Sequence, residues 1–313
     1  MRIDGRCPLS VGSLPSFKET GSRLLPFSLS AVPGTQRDWL LHLLSLDDEP
    51  PHTCRSTDVE NLRRSMQMFA QIDVQFGGNQ ALEALAAYVT QDVVPLLRSS
   101  RTEKVEPELF SAAAEIYLQL GWMTYDIGAD GLAQRYLTQG LHLAHRSDRA
   151  GLVVASHLLS ALGQIAFDSD RLTESLNFAR TGLHTAQHTD SPRATTRAHL
   201  VAARALSALA DGKGAATEMS AAEAAADRTG EDPEWDCFID GGYLTSQMAG
   251  CFRVLNDPGR SLHFSQLSME TGSPSGRQAA ANTVYLATKP GFGSVTWREP
   301  APVPSRPPKW RRA

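Results

Sequence analysis

Aromatic and charged side chains are densest on the two sides of one Gly/Asp turn. The group comprises Trp122, Tyr125, Asp126, Arg135 and Tyr136. An arginine flanked by aromatic rings can bind a carboxylate or another anion through paired N–H donors while the rings cover the ligand. The group therefore predicts one wall of a binding pocket. The alternative is a salt bridge between Asp126 and Arg135 across the turn, with the rings only packing the two helices together.

A second candidate group surrounds Trp235, between Asp232 and Asp240. If residues 234–255 form one helix, Asp236 and Asp240 lie one turn apart on the same face. Two carboxylates there repel each other unless a cation or an arginine lies between them. The group predicts a partner contact at Trp235 and Asp240. The alternative is that these acids only favour the positive end of the helix dipole.

Neither a metal site nor a catalytic site is predicted. His184 and His188 are four residues apart and could share one helix face, as zinc-binding pairs do, but no third ligand has suitable spacing. Histidines near the C-terminal end of a helix are the alternative interpretation. The sequence contains no Gly-x-Ser-x-Gly, no phosphate loop and no Gly-x-Gly-x-x-Gly after a strand. We therefore expect a protein without enzymatic activity, metal or cofactor.

Composition limits the kinds of partner. The chain has 313 residues and a net charge of −4, so no overall basic field attracts nucleic acid or an anionic membrane. No long uncharged apolar run predicts a membrane span, and no secretory signal is apparent, so a cytoplasmic location is expected. The cysteines lack metal-ligand spacing and are predicted to be reduced. Cys237 and Cys251 are expected to pack as small apolar residues on one helix.

The elements that must position these side chains repeat along the chain. An apolar helix, a short turn and an Ala-rich helix recur four times. One helical hairpin cannot bury its apolar face alone, so the hairpins are expected to stack on one another. The predicted hairpins are 107–126 with 130–146, 150–167 with 171–187, 193–210 with 214–228, and 234–255 with 258–271.

Two helices are predicted in front of the repeats. Asp58 is expected to cap the first helix, and Pro95 is expected to kink the end of the second, which runs from 80 to 98. A further helix is expected from about 276 to 289.

Three segments follow from the composition. Residues 1–57 are interrupted by prolines and are expected to be mostly disordered, with one short helix at 37–46. Residues 58–288 form the repeat domain. Residues 289–313 are basic and Pro-rich, and are expected to be a disordered tail; the alternative is a tail that contacts an acidic partner.

The first hairpin resembles the tetratricopeptide repeat. Counting from Gly121, the small, bulky and small positions of its second helix fall on Ala133, Leu137 and Gly140. In the second hairpin the same count gives Gly163, Ser175, Ala179 and Gly182. Small residues recur where two helices cross closely. The expected fold is therefore all-α, a tetratricopeptide-like helical-hairpin solenoid with disordered termini.

A longer resemblance covers residues 58–288. The chain is similar to the C-terminal sensing domain of actinobacterial XRE-type helix-turn-helix transcriptional regulators. In that family a DNA-binding domain comes first, yet residues 1–57 contain no recognisable helix-turn-helix. The strings that carry the resemblance are Leu62-Arg63 with Phe69, Asp73 and Gly77-Gly78; Leu120 to Asp126 with Ala133 to Tyr136; and Asp232 to Trp235 with Gly250-Cys251.

The functional expectation is a cytoplasmic regulatory module that binds a peptide, a protein or a small signalling molecule on its concave face. The resemblance implies a role in transcriptional regulation. Direct DNA binding and membrane binding are not expected, and a homodimer is possible. Two alternatives stay open: a DNA-binding transcriptional regulator, and a truncated remnant of one.

Overall fold

The computed structural model describes residues 53–76, 78–147 and 149–271, and this part of the chain is all-helical. The only strand-like pairing in these residues is an isolated bridge between Thr53 and Ser100. The α-helices are α1 (Ser56–Phe76), α2 (Gly78–Tyr88), α3 (Val94–Arg98), α4 (Val105–Asp126), α5 (Asp130–Ala144), α6 (Arg149–Asp168), α7 (Leu172–Ala186), α8 (Pro192–Ala208), α9 (Gly212–Ala226), α10 (Gly241–Val254) and α11 (Pro258–Thr271).

The first two predicted helices differ from the structure in detail. Helix α1 begins at Ser56, so Asp58 lies inside its first turn instead of capping it. The Asp58 carboxylate reaches back and accepts the Arg55 N–H at 2.8 Å. The predicted helix from 80 to 98 is interrupted by a π-helical turn at Val89–Val93. Pro95 follows that turn, and since proline has no N–H to donate, the regular hydrogen-bond ladder cannot continue through it.

All four hairpins turn in the same way. Three residues connect the two helices in each case, and the second of the three has a left-handed backbone. The third residue donates its N–H back across the end of the first helix, as in Ala129 N–H to Thr124 O at 3.1 Å and Asp211 N–H to Leu206 O at 2.9 Å. This arrangement satisfies the carbonyls that a helix end leaves free. The left-handed residues are Gly128, Asp170, Ala210 and Asn256.

The first helix of the fourth hairpin is shorter than predicted. Residues 234–255 do not form one helix: a 3-10 turn covers Glu234–Asp236, and α10 starts only at Gly241. Pro233 precedes the turn in an extended conformation, and Asp240 caps α10 by accepting the Tyr243 N–H at 2.8 Å. Asp236 and Asp240 therefore do not share a helix face. Cys251 is buried as expected, whereas Cys237 is exposed and lies outside the helix.

The hairpins form two layers. Successive first helices (α4, α6, α8 and α10) contact one another directly, while successive second helices barely touch. Small residues lie at the crossings: Gly121 faces Leu137, and Gly182 faces the backbone of Ser156. The glycines among the small positions counted from the sequence therefore lie at close contacts between helices. We call the side of α4, α6 and α8 that faces away from α5, α7 and α9 the inner face.

The N-terminal helices pack against α4 and extend the same core. One continuous apolar cluster runs from Cys54 in front of α1 to Ala166 in α6, and smaller clusters join α7 to α11. Helix α6 is long and apolar enough to span a membrane by length and composition, with a mean hydropathy of 1.6. However, 78% of that segment is buried inside the protein, which is typical of the core helix of a soluble protein. The expectation that no segment spans a membrane is not contradicted by this mostly buried helix.

Several expectations fall outside the described residues. These are residues 1–52 of the predicted 1–57 segment, with the short helix at 37–46, the helix from about 276 to 289, and the basic tail.

Candidate functional site

Polar side chains line the inner face. They belong to α6 and α8, and each of these helices has a row of polar residues on the side away from its contact with the second helix of its hairpin. On α6, Ser156 faces α7 and bonds Gly182 O at 2.9 Å, which leaves His157, Gln164 and Asp168 on the inner side. On α8, Thr196 faces α9 and approaches Ala222 O at 3.5 Å. The inner stripe of α8 consists of Arg193, Arg197 and Arg204.

The segment between α9 and α10 crosses this inner face. We call residues 230–240 the strap. Asp232 ties the strap to the start of α8, where it accepts hydrogen bonds from the Ser191 hydroxyl at 2.6 Å and the Arg193 N–H at 3.1 Å. Two residues later Glu234 accepts a hydrogen bond from Gln67 in α1 at 3.3 Å. The strap therefore connects the last hairpins to the N-terminal helices.

Asp236 anchors the strap to α8. Its side chain is fully buried and accepts a hydrogen bond from Arg193 Nη1 at 3.0 Å. His157 Nε2 lies 3.2 Å from the other carboxylate oxygen, although the ring is not aligned for a hydrogen bond. Burial lowers the pKa of His157, so the neutral ring is favoured. The Trp235 ring packs edge-on against the same histidine, with centroids 5.0 Å apart.

Arg197 is held between two aromatic rings. Its guanidinium carbon lies 4.5 Å from the Trp122 ring centroid and 5.6 Å from that of Phe238 in the strap. The residue is only 3% exposed, yet its Nε and Nη1 atoms have no hydrogen-bond partner in the structure. Burial lowers the pKa of Arg197, while Tyr243 and Asp236 act in the opposite direction. Unpaired donors on a buried guanidinium are suited to a carboxylate.

A hydrogen-bonded network of Tyr125, Gln164, Asp168 and Arg204 occupies the other end of the inner face. The Tyr125 hydroxyl donates to Asp168 at 2.6 Å, and Gln164 Nε2 donates to the same carboxylate oxygen at 2.6 Å. Arg204 donates to Gln164 at 2.9 Å and covers the Phe167 ring at 4.2 Å. Burial, followed by Asp168, raises the pKa of Tyr125, so this hydroxyl remains a donor. These bonds hold the ends of α4, α6 and α8 together.

An open cleft of about 490 Å³ lies between α1, the start of α6 and the strap. Its apolar wall includes Met66, Val153 and Trp235. Glu115 of α4 lines the cleft and is only 7% exposed. Burial raises the pKa of Glu115 to about 7, against the smaller opposing effects of Arg63 and of a 3.5 Å hydrogen bond from Ser111. The cleft has the size and the mixture of apolar and polar groups typical of a small-molecule site.

The structure brings together three of the residues predicted from the sequence. Trp122 and Tyr125 pack edge to face at 5.6 Å, and both lie on the inner face. Trp235 lies between the inner face and the cleft, so the two predicted groups belong to one region. They are joined by Arg197 and His157, neither of which the sequence singled out.

The other predicted residues lie elsewhere. Tyr136 packs against Tyr117, with centroids 6.2 Å apart, and stabilises the contact between α4 and α5. Arg135 is exposed on α5, in the second-helix layer, and Asp126 is exposed at the end of α4. Asp240 is occupied as a helix cap.

The residues that sequence reasoning missed left a weak signal. Arg193, Arg197 and Arg204 are spaced to share one face of a helix that is otherwise rich in Ala. Glu115 is the single charged residue in an apolar stretch, a pattern that indicates a buried carboxylate, which is uncommon in proteins. Their proximity to the strap depends on contacts between distant segments, which spacing does not reveal.

Within the residues that the structure describes, no three His, Cys, Asp or Glu side chains are grouped to hold a metal ion. The rings of His184 and His188 pack edge to face at 5.0 Å, without a third ligand. No family model, curated protein or solved structure matches the chain significantly.

Proposed function

We propose that this protein is a non-enzymatic regulatory module of tetratricopeptide-like architecture that binds a small ligand in the cleft beside the strap. The observation that carries the proposal is that the strap has two sides. Residues 231–235 form a wall of the cleft, whereas Asp232 and Asp236 bind the inner face of the repeats. A ligand in the cleft would contact the same segment that the repeat helices hold.

The two-sided strap supports a response to ligand binding. Glu234 contacts α1 through Gln67, and Asp236 contacts α6 and α8. A ligand that fills the space between α1 and the strap would stabilise the closed arrangement, since binding favours the state that makes more contacts. In a stack in which each hairpin touches its neighbours, such a change alters the relative position of the helices.

The repeated turns and the small residues at the crossings support the tetratricopeptide-like interpretation. The similarity to the sensing domain of XRE-type regulators supports a cytoplasmic role in transcriptional regulation. We do not propose direct DNA binding, because the net charge is −4. A gel-shift experiment at low salt tests this: retardation of promoter DNA by the purified protein would contradict it.

The ligand proposal is tested by native mass spectrometry of the full chain purified gently from its own cells. Ala150 is exposed at the mouth of the cleft, so Ala150→Trp fills the cleft without altering the core. Ala224, equally exposed on α9 and outside the cleft, provides the matched control Ala224→Trp. We expect a small-molecule adduct on the wild type and on the control, and none on Ala150→Trp. Identical spectra for all three proteins would contradict the proposal.

Arg197 favours a second candidate, an acidic peptide bound at the inner face. Its free Nε and Nη1 donors between two rings suit a peptide carboxylate. The same spectra separate the two candidates. A bound peptide would be lost with Arg197→Lys, which keeps the charge but not the planar fork, and would remain with Ala150→Trp.

A further inference from the structure

We propose that the cleft is selective for a small organic cation, with its ammonium group at Glu115 and its apolar body against Met66, Val153 and Trp235. This inference rests on the proposed function, because it names the class of ligand for the same cleft.

The charges around the cleft favour a cation. Arg149 already forms an ion pair with Asp190 at 2.8 Å, and Asp232 forms one with Arg193 at 3.8 Å. When these paired groups are left out of the count, one cationic side chain and three acidic side chains line the cleft. The groups that remain are Arg63 on one side and Glu115, Glu231 and Glu234 on the other. A cleft lined mainly by one sign of charge attracts ligands of the opposite sign.

Glu115 provides the anchoring point. It lines the cleft, yet it is 7% exposed, and among the described residues its carboxylate accepts a long hydrogen bond from Ser111 at 3.5 Å. Arg63 lowers the energy of the charged form through space, but in the described residues it forms no salt bridge with Glu115. A carboxylate has about four acceptor positions, so most of its capacity remains for a ligand. An ammonium group placed there would form charge-assisted hydrogen bonds in a mostly dry environment.

The remaining walls suit the rest of such a ligand. Met66 is 3% exposed and Val153 is 9% exposed, so an apolar body would meet a packed surface instead of mobile side chains. Trp235 adds an aromatic ring, which attracts cations through its negative face. An anionic ligand of the same shape would meet the three carboxylates, and a neutral one would bury Glu115 without a partner. Both penalties work against those ligands.

Calorimetric titration of the full-length protein with three probes of similar shape tests this selectivity. The probes are 2-phenylethylamine, 2-phenylethanol and phenylacetate. We expect the amine to bind about tenfold or more tightly than the alcohol, and phenylacetate to bind most weakly. Glu115→Gln should bring the amine and the alcohol to within about threefold of each other. Glu223→Gln, at an exposed position on α9, should retain the preference for the amine.

Other results would overturn the inference in distinguishable ways. Equal or tighter binding of the alcohol or of phenylacetate, abolished by Ala150→Trp, would exclude selectivity for cations but leave the cleft as a ligand site. An amine preference that survives Glu115→Gln would exclude Glu115 as the anchor. If no probe binds at millimolar concentrations and native spectra show no adduct, both the selectivity and the proposed function are wrong.

Discussion

The buried carboxylates of Asp236 and Glu115 differ in what surrounds them. Asp236 lies against Arg193 and His157, with Arg197 nearby, so its negative charge is compensated inside the protein. Glu115 receives one long hydrogen bond and no direct salt bridge in the described structure. Burying an uncompensated charge is costly, and the group responds by favouring its neutral form. Asp236 is therefore a structural anchor, whereas Glu115 retains the capacity to bind a ligand.

This difference predicts a pH dependence of stability. The pKa of Glu115 rises from 4.5 to about 7 on folding, so between these pH values the folded chain holds a proton that the unfolded chain has lost. The free energy of unfolding should therefore fall as the pH rises, by at most about 3 kcal/mol from this group. Glu115→Gln should remove that loss. Urea unfolding at pH 5 and pH 8 measures it.

His157 acts in the opposite direction, and its contribution cancels in the comparison. Burial lowers its pKa from 6.5, so acid protonates the unfolded chain first and the free energy of unfolding rises with pH up to that value. This term is common to the wild type and Glu115→Gln. Glu223→Gln serves as the control, and its free energy of unfolding should depend on pH as that of the wild type does. A stability difference between wild type and Glu115→Gln that is the same at both pH values would contradict the burial effect.

At the scale of elements, the hairpin turns are alike in geometry but not in sequence. Gly128 and Ala210 occupy equivalent positions, with φ of 76° and 61°. At a positive φ the backbone of alanine is strained by roughly 1 kcal/mol. Glycine avoids this strain, but it loses roughly 0.5 kcal/mol more conformational entropy than alanine on folding. Ala210→Gly should stabilise the protein by about 0.5 kcal/mol, and Gly128→Ala should destabilise it by a similar amount. Chemical denaturation of both variants provides the test; changes of the same sign would show that the turns are not equivalent.

Helix crossing within the first hairpin gives a larger effect. A Cβ at Gly121 would overlap the Leu137 side chain, which is 1% exposed and cannot move into free space. Gly121→Leu should therefore overpack the contact between α4 and α5 and cost on the order of 1–3 kcal/mol. Thermal unfolding measures this loss. Gly250→Ala, at a glycine with open space around its Cα, is the control and should be tolerated. An unchanged midpoint for Gly121→Leu would contradict the packing of this crossing.

At the scale of the molecule, the strap links helices that are distant in sequence. Arg193→Ala removes the 3.0 Å hydrogen bond to Asp236 and the weaker pairing with Asp232. Loss of a charge-assisted bond of about 1.5–3 kcal/mol should accelerate hydrogen exchange in residues 230–240 by roughly 10–100-fold. Exchange measured by mass spectrometry tests this. Arg135→Ala, at an exposed residue of the second-helix layer, should leave the strap protected; equal acceleration in both variants would exclude specific anchoring by Arg193.

The local features of the fold were predictable from the sequence. Apolar periodicity predicted the helices of the first three hairpins to within a few residues. Gly121 and Gly140 marked close contacts between helices. Both patterns act over one or two turns of helix. The fourth hairpin was predicted with too long a first helix. Acidic and aromatic residues in 234–240 are compatible with a helix, and only the contacts of Asp236 with α6 and α8 favour the extended strap.

The candidate site was decided by tertiary structure. Sequence alone identified Trp122, Tyr125 and Trp235 as unusual, but it placed Arg135 and Asp240 beside them and omitted Arg197, His157 and Glu115. Whether an arginine lies on the inner face or in the second-helix layer depends on which helices stack. The cleft exists only because the strap passes over α6 towards α1. Helix periodicity is a property of neighbours along the chain, whereas burial and charge compensation are properties of neighbours in space.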